Sequence, residues 1–177
     1  INEAWNAERE KLLEASESIL EHIRSDSAAD SAVELDIEIA GKAFKSLERS
    51  FDGEYGGFGR APKFPTPHNL RFLLRYWKAT NDSKALQMVE KTLISMYRGG
   101  IYDYVGYGFS RYSTDRIWLV PHFEKMLYDN AGLAAAYLEA YQATGKKQYG
   151  EVARQIFEYV LRDMTSPEGA FYSAEDA

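Results

Sequence analysis

The sequence predicts an all-α fold, a double-layered array of helical hairpins, and three observations predict it. Apolar residues recur at helical spacing in successive stretches separated by glycine- and proline-bearing loops. A turn-then-helix unit occurs twice, as "KATNDSKALQMVEKTLISM" over 78–96 and "QATGKKQYGEVARQIFEYV" over 142–160. One stretch, 121–143, is apolar nearly all round, whereas the next, 146–164, is amphipathic. A helix that is apolar on every side is buried on every side, and an amphipathic partner covers it from outside. Hairpins that cannot bury their faces alone stack into a larger array.

The elements follow in order. Residues 2–24 predict a helix with Trp5, Leu12, Ile19 and Ile23 on one stripe, and "SDSAADSAVE" (25–34) predicts a linker. A second helix is predicted from about Leu35 to Phe51, with Ile39, Ala43, Phe44 and Leu47 inward. "DGEYGGFGRAPKFPTP" (52–67) must be irregular. Thr66 and Pro67 then predict a helix start, Thr as N-cap and Pro at the first helical position. That third helix runs to about Thr80, and a fourth spans 83–98 and ends at Gly99-Gly100. "GFSRY" and "RIWLV" flank a Ser-Thr-Asp turn and predict a short β-hairpin near 109–119. The fifth and sixth helices, 121–143 and 146–164, complete the set. Gly-aromatic loops follow the helices: "GGIYDYVGYGF", "EGAFYSAEDA" and, as a third copy, "YGGFGRAPKF".

Composition excludes several function classes. The formal charge is -6 with no basic cluster, which argues against nucleic acid and anionic membranes as partners. No apolar run reaches membrane-spanning length and the first residues lack a signal-peptide layout, so the cytoplasm is the expected location. With no cysteine there is no disulfide framework, thiolate site or thiol nucleophile. "GGFG" is not a phosphate loop, because no Lys-Ser/Thr ending follows and no strand precedes it. No metal-ligand spacing occurs, and no cofactor is expected.

The opening of the fifth stretch carries the chemistry. On a helical wheel His122, Lys125 and Asp129 fall close together and can converge on one ligand. A histidine at a helix N-terminus favours the neutral imidazole, which serves as base or donor. The competing reading pairs Lys125 with Asp129 and leaves His122 to satisfy backbone groups. Asp103, among tyrosines and glycines, is either a general acid or hydroxyl acceptor or a loop cap. Glu175 and Asp176 hold the equivalent place in the next unit. The rings Tyr102, Tyr104, Tyr107, Phe109, Tyr112 and Trp118 suit the apolar faces of sugars, or else pack against one another. Arg111 can clamp a carboxylate or phosphate.

Three segments, "GGFGRAPKFPTPHNLRFLLRYW", "GGIYDYVGYGFSRYSTDRIWLVPHFEKMLYDNAGL" and "TSPEGAFYSAEDA", together resemble the spermatogenesis-associated thioredoxin-domain proteins, whose bacterial members are called YyaL-like. The resemblance covers essentially the whole chain. It implies a thioredoxin-like domain upstream in the same parent chain, then an (α/α)6 toroid similar to six-hairpin glycosidases and N-acylglucosamine 2-epimerases. Residues 1–34 would be the lead-in from the upstream domain and 35–177 the first part of the toroid. A sugar or polyol ligand is expected at the loop-rich end. His122, Asp103 and Asp129 are the catalytic candidates, and Arg111, Tyr112, Trp118, Lys125, Phe64 and His68 the binding ones. The reaction is glycosidase- or epimerase-like in the parent, with this segment inactive alone. The alternative is a non-catalytic binding or scaffold module that works with the thioredoxin-like domain. A partial toroid leaves faces uncovered, so an exposed apolar surface and self-association are expected.

Overall fold

The computed structural model describes residues 2–27 and 37–177. These fall into two units, described separately. In the first, α1 (Asn2–Ala7) and α2 (Arg9–Ser27) replace the single helix expected over 2–24. Trp5, Leu12, Ile19 and Ile23 lie on an exposed face there. Most of the expected linker, and the expected start at Leu35, lie outside the described residues.

The second unit contains α3 (Ile37–Ser50), α4 (Pro67–Thr80), α5 (Ser83–Arg98), α6 (Leu127–Thr144) and α7 (Lys147–Asp163). α6 packs against α4 on one side and against α7 and α5 behind, so α4 and α6 form the inner layer and α5 and α7 cover them. This placement explains the sequence of α6. Leu133, Ala134, Ala136, Tyr137 and Ala140 are buried, and the small residues allow close approach. Gly132 abuts the ring of Pro67 at the head of α4. The Tyr137 hydroxyl donates to Leu93 O at 2.7 Å and joins α6 to α5. α5 and α7 are amphipathic as expected, burying Val89, Leu93 and Met96, and Val152, Ala153 and Ile156. Each of these fully buried side chains larger than alanine contributes about 1.5–3 kcal/mol. α3 contributes less than its pattern implies. Phe44 is buried and stacks on Tyr76, but Ile39 and Ala43 are exposed.

The Gly-aromatic loops are three copies of one small antiparallel bridge: Phe51 with Phe58, Tyr102 with Phe109, and Thr165 with Phe171. In the first two, an aspartate caps the turn. Asp52 accepts from the backbone N–H groups of Glu54 and Tyr55, and Asp103 from those of Val105 and Gly106. Each aspartate also receives a lysine from the segment that enters the next inner helix. Lys63 Nζ donates to Asp52 and to Gly56 O, both at 2.7 Å, and Lys125 Nζ to Asp103 at 2.8 Å and Tyr107 O at 3.0 Å. Each ammonium also faces a ring of the following unit, Lys63 over Trp118 and Lys125 over Tyr159. Gly57 and Gly108, both at positive φ, lie flat against those same two rings.

The expected hairpin exists but is displaced. β1 (Tyr112–Ser113) pairs with β2 (Pro121–His122), Tyr112 opposite His122. β3 (Lys125–Met126) pairs with β4 (Ala174–Glu175). Residues 121–126 are therefore extended, and α6 begins at Leu127 rather than at Pro121. Between β1 and β2, Asp115 gathers the N–H groups of Ile117, Leu119 and Val120. That loop drives Trp118, at φ 68°, into the core over Gly99 and Gly100. These glycines end α5 as expected, but the reason is the absence of a side chain under Trp118 and Leu119, not a left-handed cap.

Candidate functional site

The heads of α4 and α6 stand side by side, and a cleft of about 450 Å³ opens between them. Phe64, Thr66, Pro67, His68 and Arg71 line it from the α4 side, and Tyr128, Asp129 and Gly132 from α6. Phe64 touches Tyr112 at a ring distance of 4.8 Å, and Tyr112 stacks on His122 at 4.8 Å and 21°. This three-ring run backs one wall. Arg111, next to Tyr112, donates to Glu124 at 2.9 Å, and Glu124 lies 3.9 Å from His122 Nδ1.

Asp129 stands out electrostatically. Its carboxyl is buried, and its Oδ2 has no hydrogen-bond partner in the protein. Burial raises its pKa to about 6, opposed by the nearby charge of Arg111. The carboxyl therefore exchanges its proton near neutral pH. Thr66 is the second unusual residue. It sits in the left-handed region, φ 43° and ψ 57°, immediately before a proline, and its hydroxyl caps nothing. The N-cap expected at Thr66 is thus absent. Among the described residues, four buried side-chain polar atoms lack a protein partner: Thr66 Oγ1, Arg111 Nε, His122 Nδ1 and Asp129 Oδ2. Two belong to residues lining the cleft. The other two belong to the Arg111–Glu124–His122 group behind it.

The candidates from the sequence divide clearly. Asp129, Phe64 and His68 line the cleft, and Tyr112, Arg111 and His122 stand behind its wall. The helical-wheel argument for His122 and Lys125 does not hold, because both lie in strands before α6 starts. Lys125 turns away to Asp103, and Asp103 caps its own turn. There burial would raise the Asp103 pKa, but the hydrogen bonds from Lys125, Gly106 and Val105 hold it below the usual carboxylate range. Trp118 is fully buried, its indole N–H donating to Tyr55 O at 2.9 Å, so it offers no exposed face for stacking. Sequence reasoning missed Thr66, Arg71, Glu124 and Tyr128. Thr66 and Pro67 carried a signal, but it pointed to a helix cap. No group of three or more potential metal ligands occurs among the described residues, and none of their helices is long and apolar enough to cross a membrane.

Layered helical hairpins with a loop-side cleft define this unit as part of an (α/α)6 toroid, and solved structures share the fold. A sugar epimerase from a ruminal bacterium superposes with TM-score 0.67 at 19% identity, over 75% of this chain and 37% of that one. Cellobiose 2-epimerase from Bacillus thermoamylovorans B4167 gives 0.68 at 15%, over 79% and 40%. A family 76 glycoside hydrolase from a bovine Bacteroides thetaiotaomicron strain gives 0.64 at 14%, over 81% and 33%. No family model matches the chain. Its close homologues are spermatogenesis-associated protein 20 of Homo sapiens, 48% identical across the whole of this chain, and of Mus musculus, 53% identical over 77% of it. The chain spans about a quarter of the length of the human relative, which it covers to 24%.

Proposed function

We propose that the cleft at the heads of α4 and α6 binds a sugar or polyol, as one wall of a larger toroid site, with Asp129 as its proton-transfer group. The observation that carries this reading is the gathering of four unpartnered buried polar atoms at one end of the fold. An unsatisfied buried polar group costs about 1–3 kcal/mol. Such costs, two in the cleft lining and two in the group behind it, mark function more than packing. The lining matches a polyol. Phe64 and Tyr128 give apolar faces, and His68, Arg71 and Asp129 give polar groups. A carboxyl titrating near pH 6 donates to a leaving or carbonyl oxygen when protonated and accepts a proton when ionised. Both glycoside cleavage and epimerisation need such a group, and the structural relatives named above are sugar epimerases and a glycoside hydrolase.

The test is thermal shift of a chain extended to the relatives' length against glucose, mannose, cellobiose and mannobiose. Stabilisation by one sugar, lost in Asp129→Asn and His68→Ala but retained in Asp103→Asn, supports the reading. Absence of any sugar effect, with stable protein partners co-purifying instead, overturns it in favour of a scaffold.

A further inference from the structure

We infer that the sugar bound between α4 and α6 carries an anionic group, a carboxylate or a phosphate, and that Arg71 binds that group. The inference rests on the sugar reading and names its substrate class.

A row of basic residues carries it. His68, Arg71, Arg75 and Lys78 follow one another at helical spacing, so α4 presents them along one face. The four are dispersed in the sequence, and the row stands in a chain of formal charge -6. It borders α6 along its length. His68 and Arg71 line the cleft at the helix heads. Arg75 and Lys78 line a second cleft of about 450 Å³ at the other ends of the two helices, with Glu139 and Gln142 across from them. The only acids of α6 are Asp129 and Glu139.

Glu139 does not neutralise the row. It accepts from Arg71 Nε at 3.0 Å and from Arg75 Nη1 and Nη2 at 3.1 and 2.9 Å, so two guanidinium groups share one carboxylate. His68 and Lys78 make no hydrogen bond or ion pair with another described residue. Positive charge is therefore in excess beside the cleft. Arg71 is held through Nε and Nη2, and its Nη1 has no partner among the described residues. A guanidinium fixed at one edge is oriented for a second carboxylate or phosphate at the other. A cleft edged by one sign of charge also focuses its field on an entering ligand. Asp129 is the opposing group, and it keeps its proton below about pH 6. An anion nearby favours that protonated form further, and this is the form that donates to a sugar oxygen.

Calorimetric titration of the chain extended to the relatives' length tests it. The titrants are glucose and mannose, their uronates, their 6-phosphates, and inorganic phosphate. The expected result is that a uronate or a 6-phosphate binds about tenfold or more tightly than its neutral parent, and the tighter of the two identifies the anion. Arg71→Gln should abolish that preference. Arg75→Gln, at a more exposed position, leaves Glu139 paired with Arg71 alone and should lower the preference about threefold. Neutral sugars binding as tightly as both anionic forms overturn the inference and leave the sugar reading standing. A preference undiminished in both variants overturns it too, as does inorganic phosphate binding as tightly as the 6-phosphates. Binding by none of the sugars removes the sugar reading along with it.

Discussion

Lys125 donates to Asp103 at 2.8 Å and Lys63 donates to Asp52 at 2.7 Å, so the segments entering both inner helices are fastened to the preceding loop by one repeated device. The Lys63–Asp52 fastening is deep, with side chains 0% and 3% exposed, and the Lys125–Asp103 one is shallower, at 12% and 35%. Asp52 also receives Arg116 through both carboxylate oxygens. Burial would raise the Asp52 pKa, but Arg116 and Lys63 outweigh it and hold the group well below the usual range.

Asp52→Asn should therefore destabilise far more than Asp103→Asn. It leaves Lys63 buried without an anion, a loss of ~3–5 kcal/mol, against about 1–2 kcal/mol for the partly exposed pair. Chemical denaturation of the two variants checks the ratio. The folded pKa of Asp52 is depressed, so its contribution is full above the unfolded value near 3.8 and is lost as pH falls through the folded one. Asp52→Asn should remove that part of the acid sensitivity.

Gly57→Ala and Gly108→Ala should each cost about 2–4 kcal/mol, since a Cβ there overlaps the Trp118 or Tyr159 ring and φ is positive at both. Gly59→Ala, with open space around it but φ of 76°, should cost only about 1 kcal/mol. Melting temperatures of the three variants separate overlap from backbone strain.

Asp129→Asn should stabilise the protein at pH 7.5 and leave it unchanged at pH 3.5. The folded pKa of about 6 lies above the ordinary 3.8, so between those values the folded state holds a proton the unfolded chain has released. Stability then falls as pH rises through that window and stays lower above it. The expected gain at pH 7.5 is ~1–3 kcal/mol, read from denaturation at the two pH values.

Thr66→Gly should also be neutral to stabilising, by up to about 1 kcal/mol. Glycine removes the left-handed strain and the unpartnered hydroxyl, against a smaller entropic loss. Weaker sugar binding alongside unchanged or higher stability would mark Thr66 as a residue kept for the cleft.

The helices were legible in the sequence wherever their pattern was local. α4, α5 and α7 lie within a residue or two of their expected bounds, and the buried nature of α6 followed from its lack of a polar face. The start of α6 was not legible. Pro121 resembled a first helical residue, but residues 125–126 pair with 174–175, some fifty positions away, and no local pattern reports such a partner. The burial of Trp118 was hidden for a related reason: the bare backbone of Gly57 and Gly99, drawn together from two distant loops, makes room for it. Of the cleft lining, Asp129 and His68 were legible as polar residues in helix-start stretches, and Phe64 as a ring in the irregular loop before α4. The left-handed turn at Thr66 was hidden, because Thr-Pro is also the signature of an ordinary cap.

The most direct test of a ligand cleft between α4 and α6 is hydrogen exchange on the extended chain, with and without the sugar that shifts its melting temperature most. Slower exchange confined to residues 64–72 and 126–133 is the predicted result. Protection elsewhere on the toroid, with those two segments unchanged, would contradict it.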